Sequence, residues 1–366
     1  MKNIVYILGA GCSAFKDGYP LARDFREALK AYGDTLGQRP NCERLKQCLT
    51  NTIGLMEQYQ SPTIDRLVGK ILEELERPEH QPSSCGRAKR EELERSADDQ
   101  ILDAKNVTAA LFLEREGNAR RTGLHGYRDF FEVIFEGNHN PSALESSNKR
   151  VLSFNYDRLF EIAFADFFRL NSGMHFYGKT WLNSGIDFLR KQAEDVALDR
   201  FCFLKLHGSA GLLVAEQYGR DQYGWNANQN STDILVDDSL FRSPNPDPRA
   251  HPRENPEPLI VFPVEKHRAR SSGTSFLFDK YIRTIWGDRN EPGYAETLVQ
   301  EAEQIWVIGY SFDPHDRKAL IDLLRKSDRQ IVVQNKTQQG ATDICTELGL
   351  RYPDLDPRLK PFGKPF

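Results

Sequence analysis

Short apolar runs, most of them rich in β-branched residues, alternate along much of the chain with polar loops and helical patterns. The first run occupies residues 2–8, reads KNIVYIL and leads directly into a glycine-rich turn. Runs of this kind are typical of buried strands in a parallel sheet. The same pattern predicts further strands at residues 150–154, 201–206, 259–262, 305–308 and 331–334.

Apolar residues at helical spacing predict helices between these strands. Residues 41–136 carry this spacing almost throughout. The charged stretch over residues 81–100 interrupts it and predicts an exposed loop or a loose helix. Outside this region, helices are predicted at residues 21–31, 159–170, 275–286, 295–302 and 314–325.

The recurring order of strand, polar loop and helix favours a parallel sheet covered by helices. We therefore predict an α/β fold: a Rossmann-like, mostly parallel sheet with helices on both faces and a helical insertion. Residues 1–34 and 146–350 are assigned to the sheet domain, residues 35–145 to the insertion and residues 351–366 to a C-terminal tail. The polar, proline-rich residues 217–258 predict a loop excursion.

Composition narrows the class of protein. The 366 residues are 39% hydrophobic and 28% charged, which suits a folded chain with a sizeable core and solvated segments. The formal net charge is −4 and no basic run stands out, so bulk charge does not suggest direct nucleic-acid binding. No apolar run is long enough to cross a membrane, and Gly9 interrupts the only early one. We expect a cytoplasmic protein without membrane contact.

The six cysteines form no C-x-x-C pair. A structural zinc site usually shows two close pairs of ligands, and a disulfide framework is typical of small secreted chains. We therefore expect reduced, mostly buried thiols, and no metal in the fold or in the site.

The turn after the first strand reads Gly9-Ala10-Gly11-Cys12-Ser13. It fits the dinucleotide-binding fingerprint G-x-G-x-x-G/A, with alanine in the third place. Gly9 permits a backbone angle that other residues resist, and Gly11 allows the main chain to approach a pyrophosphate. The backbone N–H groups of this turn are therefore expected to bind the pyrophosphate of a dinucleotide.

Polar residues follow the other strands at their carboxyl ends, where ligands of parallel sheets bind. They are Asn155-Tyr156-Asp157, His207-Gly208-Ser209, Gly309-Tyr310-Ser311 and Asn335. Each also has a structural interpretation on its own. An asparagine after a strand is often a turn residue, a histidine before glycine is often structural, and serines in such loops fit helix caps.

In this order and at these strand ends, the motifs resemble those of the sirtuin family. Sirtuins share a Gly-Ala-Gly-x-Ser opening, an Asn-x-Asp motif, a catalytic His-Gly and a Gly-x-Ser loop. Asn335 resembles the sirtuin asparagine that meets the adenosine ribose. The resemblance spans most of the chain but rests on a few short motifs, which are specific only when taken together.

The chain also departs from sirtuin deacylases. It lacks their zinc ribbon, and Ser153-Phe154 stands before Asn155 where deacylases carry glutamine. Their Gly-x-Pro-Asp-Phe-Arg run is only partly matched, and the match assigns Pro20 to the NAD⁺ site. These features are similar to the sirtuin-like domains of bacterial antiphage defence systems, which typically destroy NAD⁺.

The residue types agree with this reaction. Nicotinamide leaves NAD⁺ as a neutral molecule, so its departure needs no general acid, and the ribose develops oxocarbenium character. An amide such as Asn155 can hold a ribose hydroxyl or a water near the anomeric carbon, and an imidazole such as that of His207 suits general-base work near neutral pH. The resemblance further implies Asp157 in the nicotinamide pocket, and Gly309 and Ser311 along the adenosine path.

The expected function is therefore that of an NAD⁺ glycohydrolase, an effector of antiphage defence through NAD⁺ depletion. The alternatives are an NAD-dependent protein deacylase or ADP-ribosyltransferase, and a non-catalytic sensor of NAD⁺ or ADP-ribose. Analogy also implies a homo-oligomer, or a complex with a regulatory defence partner such as an ATPase or an Argonaute-like protein.

Overall fold

The chain forms an α/β fold, as predicted from the order of its elements. The computed structural model describes residues 3–13, 19–122, 125–144, 146–169, 200–217, 220–225, 257–267, 276–287, 291–310, 321, 323–324, 330–335 and 338–347. The strands are β1 (Ile4–Leu8), β2 (Lys149–Ser153), β3 (Cys202–Lys205), β4 (Gly208–Gln217), β5 (Arg220–Trp225), β6 (Glu257–Ile260), β7 (Gln304–Ile308) and β8 (Gln330–Gln334). The helices are α1 (Phe25–Gly37), α2 (Glu43–Gln58), α3 (Ile64–Leu75), α4 (Pro82–Cys85), α5 (Arg87–Thr122), α6 (His125–Ile134), α7 (Leu159–Phe167), α8 (Phe276–Trp286), α9 (Tyr294–Glu301) and α10 (Gln338–Glu347).

Five strands form one parallel sheet in the order β3-β2-β1-β7-β8. The last residues of the central strands are level, because Leu8 of β1 is paired with Ser153 of β2 and with Ile308 of β7. Ser153 is in turn paired with Lys205, the last residue of β3. The loops that follow these four strands therefore start at the same edge of the sheet.

Helices cover both faces of the sheet, as predicted. Because side chains alternate along a strand, Tyr6 and Leu8 point to one face while Val5 and Ile7 point to the other. Tyr6 and Leu8 belong to an apolar cluster shared with α1, α2, α3, α5, α6 and α7. Val5 and Ile7 belong to a second cluster shared with α8, α9 and α10. The sheet is thus the middle layer of a three-layer arrangement.

The helical segment at residues 35–145 shares its core with the sheet. Leu49 of α2 and Val107 of α5 lie in the same continuous cluster as Tyr6. Helix α5 also contacts β4 and β6. The assignment of this segment as an insertion stays an interpretation, but its helices pack on the sheet and have no separate core among the described residues.

Helix α5 is longer than the sequence pattern predicts. Its 36 residues include most of the charged stretch that predicted a loop or a loose helix. The loop alternative is wrong from Arg87 onward, since the first turns carry the i,i+4 pairs Arg87–Glu91 and Arg90–Glu94, each with an N···O distance of 2.8 Å. Charged residues of these types are good helix formers, and such pairs stabilise an exposed helix.

A second, antiparallel sheet of the order β5-β4-β6 was not predicted. Strand β5 lies within residues 217–258, where the sequence predicted a loop, so that prediction is wrong for this strand. The sequence of β4 contains glycine and polar residues, so its local propensity does not predict a strand. The strand forms because it pairs with β5 and β6.

The first predicted helix differs from the observed one only at its ends. The predicted helix at residues 21–31 begins with a 3-10 turn at Ala22–Asp24 and continues as α1 to Gly37. The predicted helix at 314–325 is described only at residues 321, 323 and 324, which are helical, and the predicted tail at 351–366 lies outside the described residues.

All six cysteines are free thiols, and all but Cys85 are buried.

Among the described residues, no helix combines the length and the apolar character that crossing a membrane requires.

A buried ion pair joins α5 to the loop between β2 and α7. The Arg158 guanidinium donates to both carboxylate oxygens of Glu116 at 2.7 and 2.8 Å, and both side chains are almost fully buried. Bidentate pairs of this kind are specific in geometry. The loop that carries Asn155 is therefore tied to the C-terminal half of α5.

We predict that Arg158→Met lowers the free energy of unfolding by about 3–5 kcal/mol, because it leaves the Glu116 carboxylate buried without its main partner. The matched control is Arg87→Met, which removes an exposed pair with Glu91. Its effect is expected to stay within about 0.5 kcal/mol. Urea unfolding of both variants checks this, and equal losses would contradict the prediction.

Candidate functional site

A cavity of about 80 Å³ lies at the carboxyl edge of the parallel sheet. Four strand-end loops contribute to its walls: Ala10 and Ser13 follow β1, Asn155 follows β2, His207 follows β3 and Tyr310 follows β7. This convergence results from the level ends of the four strands. The loops from different parts of the chain are thereby brought to one place.

Six of the residues predicted for the site line this cavity: Ala10, Ser13, Pro20, Asn155, Asp157 and His207. Five others are described but do not line it: Gly9, Gly11, Cys12, Gly309 and Asn335. Ser311 lies outside the described residues. The two predicted catalytic residues thus share one cavity.

The amide of Asn155 is held on its nitrogen side. Its Nδ2 donates to Ser13 Oγ and to Tyr127 Oη, each at 3.2 Å, and these two hydroxyl oxygens are 2.9 Å apart. Asn155 is only 5% exposed, and its Oδ1 has no hydrogen-bond partner among the described residues. A buried polar atom left without a partner costs about 1–3 kcal/mol. An acceptor of this kind in a cavity wall is suited to a hydroxyl group of a ligand or to a water.

The imidazole of His207 is enclosed by aromatic rings. Its centroid lies 5.1 Å from that of Phe154, 5.9 Å from that of Tyr156 and 6.2 Å from that of Trp286. The first of these contacts is nearly perpendicular. Packing on several sides fixes the plane of the ring, so the edge that faces the cavity is set by the fold.

The backbone around His207 is fixed as well. The Gly208 N–H donates to Tyr281 Oη at 3.1 Å, and the Tyr281 hydroxyl donates to the Lys205 carbonyl. The Val261 N–H donates to the His207 carbonyl at 3.0 Å. The loop after β3 is therefore held by α8 and by the segment after β6.

Asp157 has a structural role in addition to lining the cavity. Its Oδ1 accepts a hydrogen bond from the Leu159 N–H at 2.9 Å at the start of α7. Burial raises the pKa of the Asp157 carboxyl group, and this effect is opposed by the charge of Lys205 and by a hydrogen bond from Ser13. Lys205 Nζ donates to the Asp157 carbonyl and lies 3.5 Å from Glu161 Oε1. The expected contact of Asp157 with nicotinamide stays a prediction.

Four of the five backbone N–H groups of the glycine turn donate to carbonyls of the protein. Those of Gly9 and Gly11 donate to the carbonyls of Ile308 and Gly309, at 2.9 and 2.6 Å. Those of Cys12 and Ser13 donate to carbonyls within the turn, at 3.0 and 3.1 Å. The pyrophosphate contact expected for the turn stays a prediction, and a contact with any of these four N–H groups would require its present bond to be exchanged.

Gly11 is required for the close packing of the turn. A Cβ atom on Gly11 would lie 2.5 Å from the Gly309 carbonyl oxygen, so only glycine allows the turn to pack this closely on the loop after β7. Asn335 holds the same loop from the other side, since its Nδ2 donates to the Tyr310 carbonyl at 3.1 Å. Asn335 thus supports a wall residue from outside the cavity.

Residues from the helical segment complete the walls, and the sequence did not indicate them. They are Thr63, Ile64 and Asp65 at the start of α3, and Phe112 of α5. Thr63 is readable from sequence as an N-cap, and its hydroxyl does accept from the Arg66 N–H at 3.2 Å. Its location at the cavity, like that of Tyr127 beside Asn155, depends on tertiary packing alone.

The walls are rich in aromatic rings and include two carboxyl groups. Besides His207, the rings that line them are Tyr19, Phe25, Phe112, Phe154, Tyr156 and Tyr310. Two carboxyl groups, those of Asp65 and Asp157, also line the cavity, and no lysine or arginine does so among the described residues. Tyr156 Oη donates to Asp65 Oδ1 at 3.4 Å.

No protein-family model matches the chain, and no curated protein shows significant similarity to it. The resemblance to sirtuins therefore rests on the motifs and their placement. Within the described parts of the chain, no three His, Cys, Asp or Glu side chains are grouped as metal ligands would be. The absence of a metal from the active protein stays a prediction.

We predict that Gly208→Ala lowers the free energy of unfolding by about 2–4 kcal/mol, because φ is positive here and the new Cβ would meet a backbone oxygen. The φ angle of Gly208 is +73°, and its Cβ would lie 1.8 Å from the Leu259 carbonyl oxygen. Gly86→Ala is the matched control, since its φ of +79° is similar but the space around it is open. Chemical unfolding of both variants checks this. A loss of unfolding free energy in Gly208→Ala no greater than that in Gly86→Ala would contradict the predicted effect of the clash.

Proposed function

We propose that the chain is an NAD⁺ glycohydrolase of the sirtuin-like type. The observation that carries the proposal is the shared cavity of Asn155 and His207, in which the Asn155 Oδ1 is a buried acceptor without a partner among the described residues. The order of the strand-end motifs supports the same reaction. The proposal depends on the motifs and the cavity together.

The proposed reaction converts NAD⁺ and water into nicotinamide, ADP-ribose and a proton. The bond between the ribose C1′ and the pyridinium nitrogen breaks, and its electron pair stays with nicotinamide. A water oxygen bonds to C1′, and its proton passes to His207. The Asn155 Oδ1 accepts a hydrogen bond from a ribose hydroxyl or from the attacking water, which holds the reacting groups in place.

The cavity walls favour the nicotinamide end of the dinucleotide. A flat cation is attracted by aromatic faces and by the carboxyl groups of Asp65 and Asp157, whereas a pyrophosphate would be repelled by these carboxylates. The near-complete burial of Asn155 and His207 also favours water, a small acceptor, over a protein side chain. This supports hydrolysis over protein deacylation or ADP-ribosyl transfer.

We predict that Asn155→Ala and His207→Ala each lower the rate of nicotinamide release by about 10²–10⁴-fold, since each removes a group that acts in the bond-breaking step. The double variant is expected to be little slower than either single one, because both groups act together. Matched controls are Asn51→Ala and His139→Ala, which lie away from the cavity. Nicotinamide release from NAD⁺ by the purified full chain is measured by chromatography.

The same assay separates the alternatives. Release without any acceptor supports the hydrolase. Release that requires an acylated peptide would replace it with a deacylase, and NAD⁺ binding without release would replace it with a sensor. An Asn155→Ala variant that consumes NAD⁺ at the parent rate would refute the assigned chemistry.

We predict that Asp65→Asn raises the KM for NAD⁺ roughly 5–10-fold, the loss of about 1–1.4 kcal/mol of attraction for the pyridinium charge. The side chain keeps its size and can still accept from Tyr156. Asp34→Asn on the exposed surface of α1 is the matched control and should leave KM unchanged. To test whether the change concerns affinity, calorimetry compares NAD⁺ binding by the Asn155→Ala variant with binding by the Asn155→Ala, Asp65→Asn double variant. Equal affinities with and without the Asp65 charge would refute this role.

The biological part of the proposal follows from the resemblance alone. An enzyme of this type would act in bacterial antiphage defence by depleting NAD⁺ in the infected cell. Assembly as a homo-oligomer, and control by an ATPase or an Argonaute-like partner, belong to the same proposal.

A further inference from the structure

Tyr127 is in direct contact with the candidate catalytic asparagine, although it belongs to α6 in the helical segment. Its hydroxyl oxygen lies 3.2 Å from Asn155 Nδ2 and 2.9 Å from Ser13 Oγ. The side chain is 1% exposed. No motif marks this tyrosine in the sequence, and it does not line the cavity itself.

We propose that Tyr127 is a positioning residue, which orients the Asn155 amide so that its Oδ1 faces the cavity. The catalytic consequence of this inference rests on the proposed function. The orientation of the Asn155 amide does not depend on it.

The hydrogen bonds around Asn155 favour one orientation of its amide. The hydroxyls of Ser13 and Tyr127 share a hydrogen bond at 2.9 Å, so one of their two protons is used between them. Both hydroxyl oxygens accept from Asn155, and the two N–H bonds of its amide satisfy them. A flipped amide would turn Oδ1 toward these two oxygens, and only one of the two hydroxyls would have a proton left to donate to it.

Burial keeps the Tyr127 hydroxyl in its donor form. It raises the pKa of Tyr127 well above its ordinary value, and the charge of Asp157 adds to this effect. The hydroxyl therefore stays protonated throughout the neutral range and can donate to Ser13.

Tyr127→Phe tests this role with little change in packing. The ring meets Phe160 edge to face at 5.8 Å, and phenylalanine keeps that contact. What is lost is one of the two acceptors for Asn155 Nδ2 and the hydroxyl that shares a hydrogen bond with Ser13. The matched control is Tyr32→Phe in α1, since Tyr32 is 4% exposed and its hydroxyl has no hydrogen-bond partner among the described residues.

The expected kinetic result is a kcat roughly 10–100-fold lower for Tyr127→Phe with KM nearly unchanged, because a misplaced catalytic group slows the reaction more than it weakens binding. A second measurement needs no turnover. The Asn155 side-chain NH₂ signals in a ¹H–¹⁵N spectrum, identified by their absence in Asn155→Ala, should move or broaden in Tyr127→Phe and stay in place in Tyr32→Phe.

The two readouts separate this inference from the proposed function. Should the parent chain release no nicotinamide, the proposed function fails, and displaced Asn155 signals would still support the orienting contact. Asn155 signals that are identical in the parent and in Tyr127→Phe would overturn the inference, whatever the parent's activity. A parental kcat in Tyr127→Phe would overturn its catalytic consequence.

Discussion

The level register of the central strands is the constraint on which the rest of the site depends. Leu8, Ser153 and Ile308 lie side by side at the ends of β1, β2 and β7. A shift of one residue in any pairing would reverse the faces of that strand's side chains and move its loop along the sheet edge. Since each strand buries apolar residues on both faces, such a shift is costly, and the loops are held where they meet.

The same register explains how the glycine turn is used. The N–H groups of Gly9 and Gly11 donate to the Ile308 and Gly309 carbonyls because the turn packs directly on the end of β7 and the loop after it. This close packing connects the ends of two adjacent strands and leaves Ser13 pointing toward Asn155. The turn therefore acts first as a structural joint at the sheet edge, whatever ligand it also binds.

Helix α5 ties the helical segment to the sheet through buried charges. Lys105 lies 3.0 Å from Glu265 after β6, and Glu116 accepts the bidentate pair from Arg158 after β2. Buried pairs of this kind contribute little net stability, but removing one partner leaves a buried charge without compensation. The helical segment is for this reason part of the site's framework, and through Tyr127 and Asp65 it also supplies groups near the candidate catalytic residues.

The sequence alone determined the strands of the parallel sheet, the helical cover and the strand-end loops, because apolar runs and helical spacing are local properties. It also placed Asn155 and His207 together, since parallel strands bring their carboxyl ends to one edge. Tertiary structure decided the partners of those residues. Ser13 and Asn155 are 142 positions apart, and their contact depends on the register of β1 and β2. The contacts of Tyr127 and Asp65, and the antiparallel sheet, likewise arise from packing between distant segments, which no local pattern encodes.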